Sequence, residues 1–272
     1  MLTTTDVDWV EARTAVAAAA TRVAALLRSV THPDAPALGD WNLTDVAVHL
    51  SHTVDALFAT TKGGSAIVDD IWNLSILTKA MVKGETTRDL HGLADRIEAS
   101  AGEFLAFLED SREHGLRTWI VKGTQVPLST LVCHVLNELV VHGRDIAIAD
   151  GVPWPIARSD AALIVCGFLF RSLGALGPAM LVEQEAAGVR ACIEVRVRGG
   201  CRAYFRFDNG DFSVDETPWK ALDCHLLVDP AAFMLVAWGR LNQWGPIARG
   251  QLLAWGRKPW LGLKLRALLR NP

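Results

Sequence analysis

The spacing of apolar residues divides the chain into an earlier part with a period of three to four and a later part with a period of two. From Asp6 to Arg28 the apolar positions are Trp9, Ala12, Val16, Ala20, Val23 and Leu27, the recurrence of a helix that buries one face. After a Pro-rich loop, "WNLTDVAVHLSHTVDALFATTKGG" reads as a second helix, with Thr44 as its N-cap and Gly63 and Gly64 as its close. Ala66 to Thr87 has no clear period and suits either a short helix or a mobile flap. Periodicity returns from Asp89 to Ser111 through Leu90, Leu93, Ile97, Ala101, Phe104, Leu105 and Leu108. Pro127 and Ser129 then mark the start of a fourth helix that runs to Asp150. Four long amphipathic helices predict a bundle.

"DGVPWPIARSD", with its prolines, glycine and capping Ser159, separates this bundle from the later part of the chain and predicts two domains, residues 1–152 and 153–272. "AALIVCGFLF" is expected to be a buried helix, because a run of about ten apolar residues falls short of the ~20 that span a bilayer. Farther on, Ile193, Val195 and Val197 alternate with Glu194, Arg196 and Arg198, and Cys201, Ala203, Phe205 and Phe207 alternate with polar neighbours. Gly199 and Gly200 join these strands, and "DNGD" at Asp208 to Asp211 marks a second hairpin. A strand at Cys224, Leu226 and Val228 precedes a helix capped by Asp229, begun by Pro230 and ended by Gly239, and Pro259 to Leu269 reads as a last helix. The predicted class is α+β: a four-helix bundle followed by a smaller domain with a mainly antiparallel sheet.

The fourth helix raises a chemical question. His134, Glu138 and His142 stand four residues apart in "LVCHVLNELVVHGRDIAIAD", so they line one face of a helix that is otherwise apolar. Each would lose hydration on burial and needs a partner, and binding a metal is one remedy. Glu138 and His142 can ligate one ion from a single helix, and His49 on the second helix can complete a His₂Glu set with a coordination position left over. The plain alternative is an ordinary helix pair beside a hydrogen-bonded core histidine; no HExxH motif is present, and spacing leaves the choice open. His52, one turn beyond His49, is an alternative ligand. His134 and Asp145 are candidates for orienting the ligands from behind.

Composition narrows the partners. With 27 basic and 30 acidic residues the formal charge is −3, which supplies no basic excess for nucleic acid. Five cysteines, Cys133, Cys166, Cys192, Cys201 and Cys224, lack the CxxC spacing of a structural zinc site and read as reduced, buried thiols. With Asp6, Asp8 and Glu11 where a secretory signal would be basic, a cytoplasmic protein without a membrane span is expected.

"WNLTDVAVHL" and, some ninety residues later, "NELVVHGRDIA" resemble the N-terminal domain of the mycothiol-dependent maleylpyruvate isomerase family, a relative of the DinB-like four-helix metalloproteins. The matching residues are Trp41, Asp45, Val46, His49 and Leu50, then Glu138, His142 and Asp145. The resemblance implies that His49, Glu138 and His142 ligate zinc or another divalent metal. It also implies mycothiol as a thiol cosubstrate. "HLLVDPAAFMLVAWGR" and "RGQLLAWGRKPWLGLKLRALL" resemble the sterol carrier protein type 2 fold, which implies a sterol-carrier-like second domain.

Three functions are then expected to compete. The first is a metal-dependent transferase or isomerase in which a small-molecule thiol, activated as thiolate, attacks an electrophilic substrate. Arg202, Arg206, Arg240 and Arg249 are possible cations for a substrate carboxylate. The second is a carrier of a hydrophobic ligand in a tunnel lined by Phe205, Phe207, Leu235 and Trp238, with a structural metal; Trp244, Trp255 and Trp260 either join such a pocket or pack in a core. The third is a scaffold with a relic metal site.

Overall fold

The computed structural model describes residues 7–109, 111 and 115–270. Asp6 and Asp110, which fall inside predicted helices, lie outside the described residues. The chain divides into two compact units, Asp8–Ile156 and a second built mainly from the segment beyond it.

The first unit comprises α1 (Trp9–Ser29), α2 (Leu43–Thr61), α3 (Leu74–Gly84), α4 (Leu90–Glu109) and α5 (Leu128–Ala149), with two small antiparallel hairpins, β1 (Pro36–Leu38) with β2 (Trp41–Asn42) and β3 (Leu116–Thr118) with β4 (Gln125–Pro127). Helices α1 and α2 both pack against α4 and α5, which places α1 and α2 at opposite corners of a four-helix bundle. The stretch without a clear period is a single helical turn at Ile71–Asn73 followed by α3. Eighteen of the 22 residues of α5 are buried, so a helix apolar on nearly every side becomes the centre of the unit. One close approach requires Gly143: a Cβ there would stand 2.5 Å from Trp154 Cζ2. Trp154 in turn donates its indole N–H to the Val140 carbonyl at 3.1 Å, tying the segment before Ala157 to α5.

The start of α2 departs from expectation. Asn42, not Thr44, is the N-cap: its side chain accepts from Asp45 N at 2.8 Å and the Asp45 carboxylate accepts from Asn42 N at 3.0 Å, a reciprocal pair that satisfies two orphan donors. Thr44 lies inside the helix and donates its hydroxyl to the Pro33 carbonyl at 3.0 Å.

The second unit holds a five-stranded sheet in the order β7 (Asp211–Asp215), β6 (Arg202–Asp208), β5 (Arg190–Val197), β8 (Cys224–Val228), β9 (Leu252–Trp255). All neighbours are antiparallel except β5 and β8. Asn209 and Gly210, with φ of 53° and 93°, form the tight turn between β6 and β7. Helices α6 (Arg158–Leu163), α7 (Phe170–Leu176), α8 (Glu183–Ala186), α9 (Pro230–Ala237), α10 (Trp244–Ala248) and α11 (Trp260–Leu268) complete it. Asp229 caps α9 by accepting from Ala232 N at 3.1 Å.

Two readings of the sequence change here. The apolar run near Ala161 belongs to a longer helical stretch, α6 and α7 joined through a wide turn at Ile164–Leu169 and continuing to Met180. Arg158–Met180 is long and apolar enough to cross a membrane by length and composition, and 56% of its most apolar window is buried. The cysteines are not all thiols: Cys166 in the wide turn and Cys201 beside β6 form a disulfide, because the fold brings residues 35 apart in sequence to a Cα separation of 5.8 Å. Cys133, Cys192 and Cys224 are buried and unbridged. The cytoplasmic expectation therefore loses the premise of five reduced thiols.

Candidate metal centre

The capping pair at Asn42 and Asp45 sets the register of α2 so that His49, one turn beyond Asp45, faces α5. On α5, Glu138 and His142 occupy successive turns of one face. His49 Nε2 lies 3.8 Å from Glu138 Oε2, and His142 Nε2 lies 3.4 Å from the same oxygen. One ligand atom from each residue lies within 4.8 Å of the other two. Ligands bound at 2.0–2.1 Å around a tetrahedral ion stand roughly 3.4 Å apart, so the three groups need only a small inward movement to share one. The His49 and His142 rings meet edge to face at 4.7 Å, and Trp41 lies against the His49 ring at 5.1 Å.

The groups behind the cluster assign each ring and oxygen a direction. Asp145 Oδ2 is 3.1 Å from His142 Nδ1, which places a proton on that nitrogen and turns Nε2 toward Glu138. Trp119 donates its indole N–H to His134 Nδ1 at 3.2 Å. With that lone pair engaged, a ring proton sits on His134 Nε2, 3.4 Å from Glu138 Oε1. Asn137 donates to the same oxygen at 3.1 Å. Oε1 is thus held by two donors while Oε2 faces the two imidazoles.

Burial by itself would push the Glu138 carboxyl up, but hydrogen bonds from His134 and His142, reinforced by their charge, hold it well below the usual carboxylate range. Burial also opposes charging of His142, yet its bonds to Asp145 and Glu138 and the charge of both push its pKa up to about 9. A proton on His142 therefore occupies the place a cation would take.

The fold brings His49, Glu138, His142, His134 and Asp145 into one cluster. His52 does not join them; its Nε2 is 3.0 Å from Glu85 Oε2, directed toward the end of α3. Trp119 and Asn137 were not legible in the sequence, since one lies beside a two-stranded hairpin too short to show a period and the other looks like an ordinary polar residue of α5. The four arginines considered as substrate cations have partners within their own unit: Arg202 Nε is 3.3 Å from Glu194, Arg206 is 3.2 Å from Asp208, Arg240 donates to the Trp238 carbonyl and Arg249 to Gln251. Phe205 and Phe207 pack on other rings, Phe205 with Phe170 at 5.2 Å and Phe207 with Phe212 at 5.0 Å. Glu194, one of the polar positions alternating along β5, is buried beneath His225, Arg196 and Arg202, with His225 Nδ1 2.5 Å away.

A helical bundle that gathers two imidazoles and a carboxylate from two of its helices, continued by an α+β unit, defines a two-unit protein built on a scaffold able to hold a metal. Residues 13–147 match the family model described as the mycothiol maleylpyruvate isomerase N-terminal domain, and through this bundle the chain belongs to that family. Among solved structures, the mycothiol-dependent maleylpyruvate isomerase is similar at a TM-score of 0.52 and 14% identity, over 89% of this chain and 93% of the other. A histidine-to-alanine variant of that isomerase is similar at a TM-score of 0.54 and 13% identity, over 93% of this chain and 95% of the other. At such identity the likeness concerns the fold, and it extends over both units. No curated protein matches the chain.

Proposed function

We propose that the protein is a metal-dependent, thiol-using isomerase or transferase acting on a small electrophilic substrate, with His49, Glu138 and His142 holding a divalent metal, zinc by the chemistry of the donors. The observation that carries this reading is the convergence of those three ligand atoms within 4.8 Å, backed by partners that leave Glu138 Oε2 facing both imidazoles. Two neutral imidazoles and one carboxylate leave a bound dication a net positive charge, which lowers the pKa of a coordinated thiol and supplies thiolate near neutral pH. The family points to mycothiol as the thiol and to maleylpyruvate, or a similarly activated unsaturated acid, as the substrate class.

The chain's own contribution is positional. Asp145 keeps His142 in the tautomer that offers Nε2, while His134 and Asn137 restrain the Glu138 carboxylate from its other oxygen. Trp119 stops His134 from flipping its proton to the wrong nitrogen. In an isomerase the sulfur–carbon bond forms on one carbon of the activated double bond, the remaining single bond rotates, and the sulfur leaves again, so no net redox change occurs. In a transferase the same nucleophile displaces a leaving group and stays.

The test is metal analysis of protein purified without added ions, together with His49→Ala, Glu138→Ala and His142→Ala variants assayed for thiol-dependent turnover. About one equivalent of metal in the parent, lost with turnover in each variant, is the expected result. Unchanged metal content and turnover in the variants would overturn the proposal.

A further inference from the structure

The overall charge of −3 conceals an uneven distribution. From Pro230 to the end, the chain carries seven of the 27 basic residues, Arg240, Arg249, Arg257, Lys258, Lys264, Arg266 and Arg270, and none of the 30 acidic ones. The same segment supplies five of the ten exposed large hydrophobic side chains among the described residues: Trp244, Leu253, Trp255, Trp260 and Leu263. The tryptophans are the costliest of these to leave in water, being 59%, 42% and 52% exposed for Trp244, Trp255 and Trp260.

The exposed apolar side chains lie on or beside one feature of the second unit, the open edge of its sheet. Among the described residues, strand β9 ends the strand order and pairs only with β8. Leu253 and Trp255 alternate onto one face of β9, where Trp255 stacks flat on His225 at 5.3 Å. Helix α11 covers the other face, for a Cβ on Gly262 would meet Leu226 Cδ2 at 2.5 Å and Ala254 Cβ at 2.9 Å. Burial of Leu261, Leu265 and Leu268 turns Trp260, Leu263, Lys264 and Arg266 outward. Gln243 donates to the Leu263 carbonyl at 3.3 Å, which brings the start of α10, and with it Trp244, alongside.

We propose that this aromatic and cationic edge is a docking surface for an anionic lipid bilayer, on which the protein sits peripherally. Tryptophans and leucines interleaved with lysine and arginine match the interfacial zone of a membrane, where ring bodies enter the acyl boundary and cations meet headgroup phosphates. Arg257 and Lys258 already neutralise the buried Asp223, but among the described residues Arg249 and Arg266 donate to the neutral oxygens of Gln251 and Leu269, and Lys264 has no carboxylate partner. A second copy of this chain is the poorer occupant, since pairing two such edges would bring Arg249, Lys264 and Arg266 of each copy toward the same groups of the other. Nucleic acid would use the cations and stack on the rings, yet would leave Leu253 and Leu263 without an apolar partner.

The experiment is sedimentation of the full chain with vesicles of phosphatidylcholine alone or of equal parts phosphatidylcholine and phosphatidylglycerol, at low salt and at 0.5 M salt. Binding to the anionic vesicles only, reduced by salt, is the expected result. Lys264→Glu with Arg266→Glu, and separately Trp255→Ala with Trp260→Ala, should each weaken partitioning at least about tenfold, while circular dichroism stays at the parent spectrum. Absence of binding to either vesicle, undiminished binding by both double variants, tighter binding to single-stranded DNA than to vesicles, or concentration-dependent dimerisation abolished by the tryptophan changes would each overturn the assignment.

Discussion

Glu138 is the residue on which the site turns, because its two carboxylate oxygens have separate tasks. His134 and Asn137 hold Oε1, and Asp145 and Trp119 act on the cluster by fixing ring orientations and proton positions. Asp145→Asn is expected to weaken metal affinity about 10- to 100-fold, and Trp119→Phe to weaken it by a smaller factor with the fold intact; competition against a chromophoric chelator measures both. The pH dependence has a definite sign. In metal-free protein the His142 pKa is raised to about 9, so its contribution to stability is complete below the ordinary histidine value near 6.5 and is lost as pH rises through 9. Metal uptake at pH 7.5 should release about one proton from His142, and affinity should rise with pH until about 9; calorimetry in buffers of different ionisation enthalpy measures the proton count.

Among the elements, α2 and α5 carry the proposed ligands, and their placement depends on contacts at their ends. Asn42→Ala removes the α2 cap and should cost about 1 kcal/mol in denaturant unfolding. Gly143→Ala forces a methyl group against Trp154 at the point where the segment before Ala157 folds onto α5, with an expected cost of about 1–3 kcal/mol. In the sheet, Asp223 links β5 to the start of β8: its side chain accepts from Cys192 N at 3.1 Å and lies 2.7 Å from Lys220, with Arg257 also bonded to it. Burial would raise this carboxyl, but Lys220, Arg257 and the Cys192 amide hold it well below the usual range. Its contribution is therefore present above the ordinary aspartate pKa near 4 and lost as pH falls toward the depressed value. Asp223→Ala, which leaves the buried Cys192 N–H without its acceptor while the cations keep access to water, should cost about 1–3 kcal/mol, read from urea unfolding at pH 7.

For the molecule as a whole, a ligand that binds only the folded bundle must stabilise it, so chelation should lower the melting temperature of the parent and leave that of His49→Ala unchanged. The periodicity of apolar residues was enough to find the four bundle helices, because a helix that buries one face must repeat every three to four positions whatever it packs against. Punctuation by Asn-Gly, Asp-Pro and Gly likewise marked the β6–β7 turn and both ends of α9, since those backbone conformations are open to few residue types. The spacing of Glu138 and His142 is equally local. The place of His49 depended on distance in three dimensions, since only the packing of α2 beside α5 brings its ring against that of His142. Trp119 at His134, Glu194 under His225, the Cys166–Cys201 bridge and the ring of tryptophans around β9 had no period or motif to announce them. Each joins residues far apart in the chain. Local pattern reports which face of an element is apolar, whereas the identity of the partner on that face is set by how elements pack and in what register, and that information resides in no single stretch of sequence.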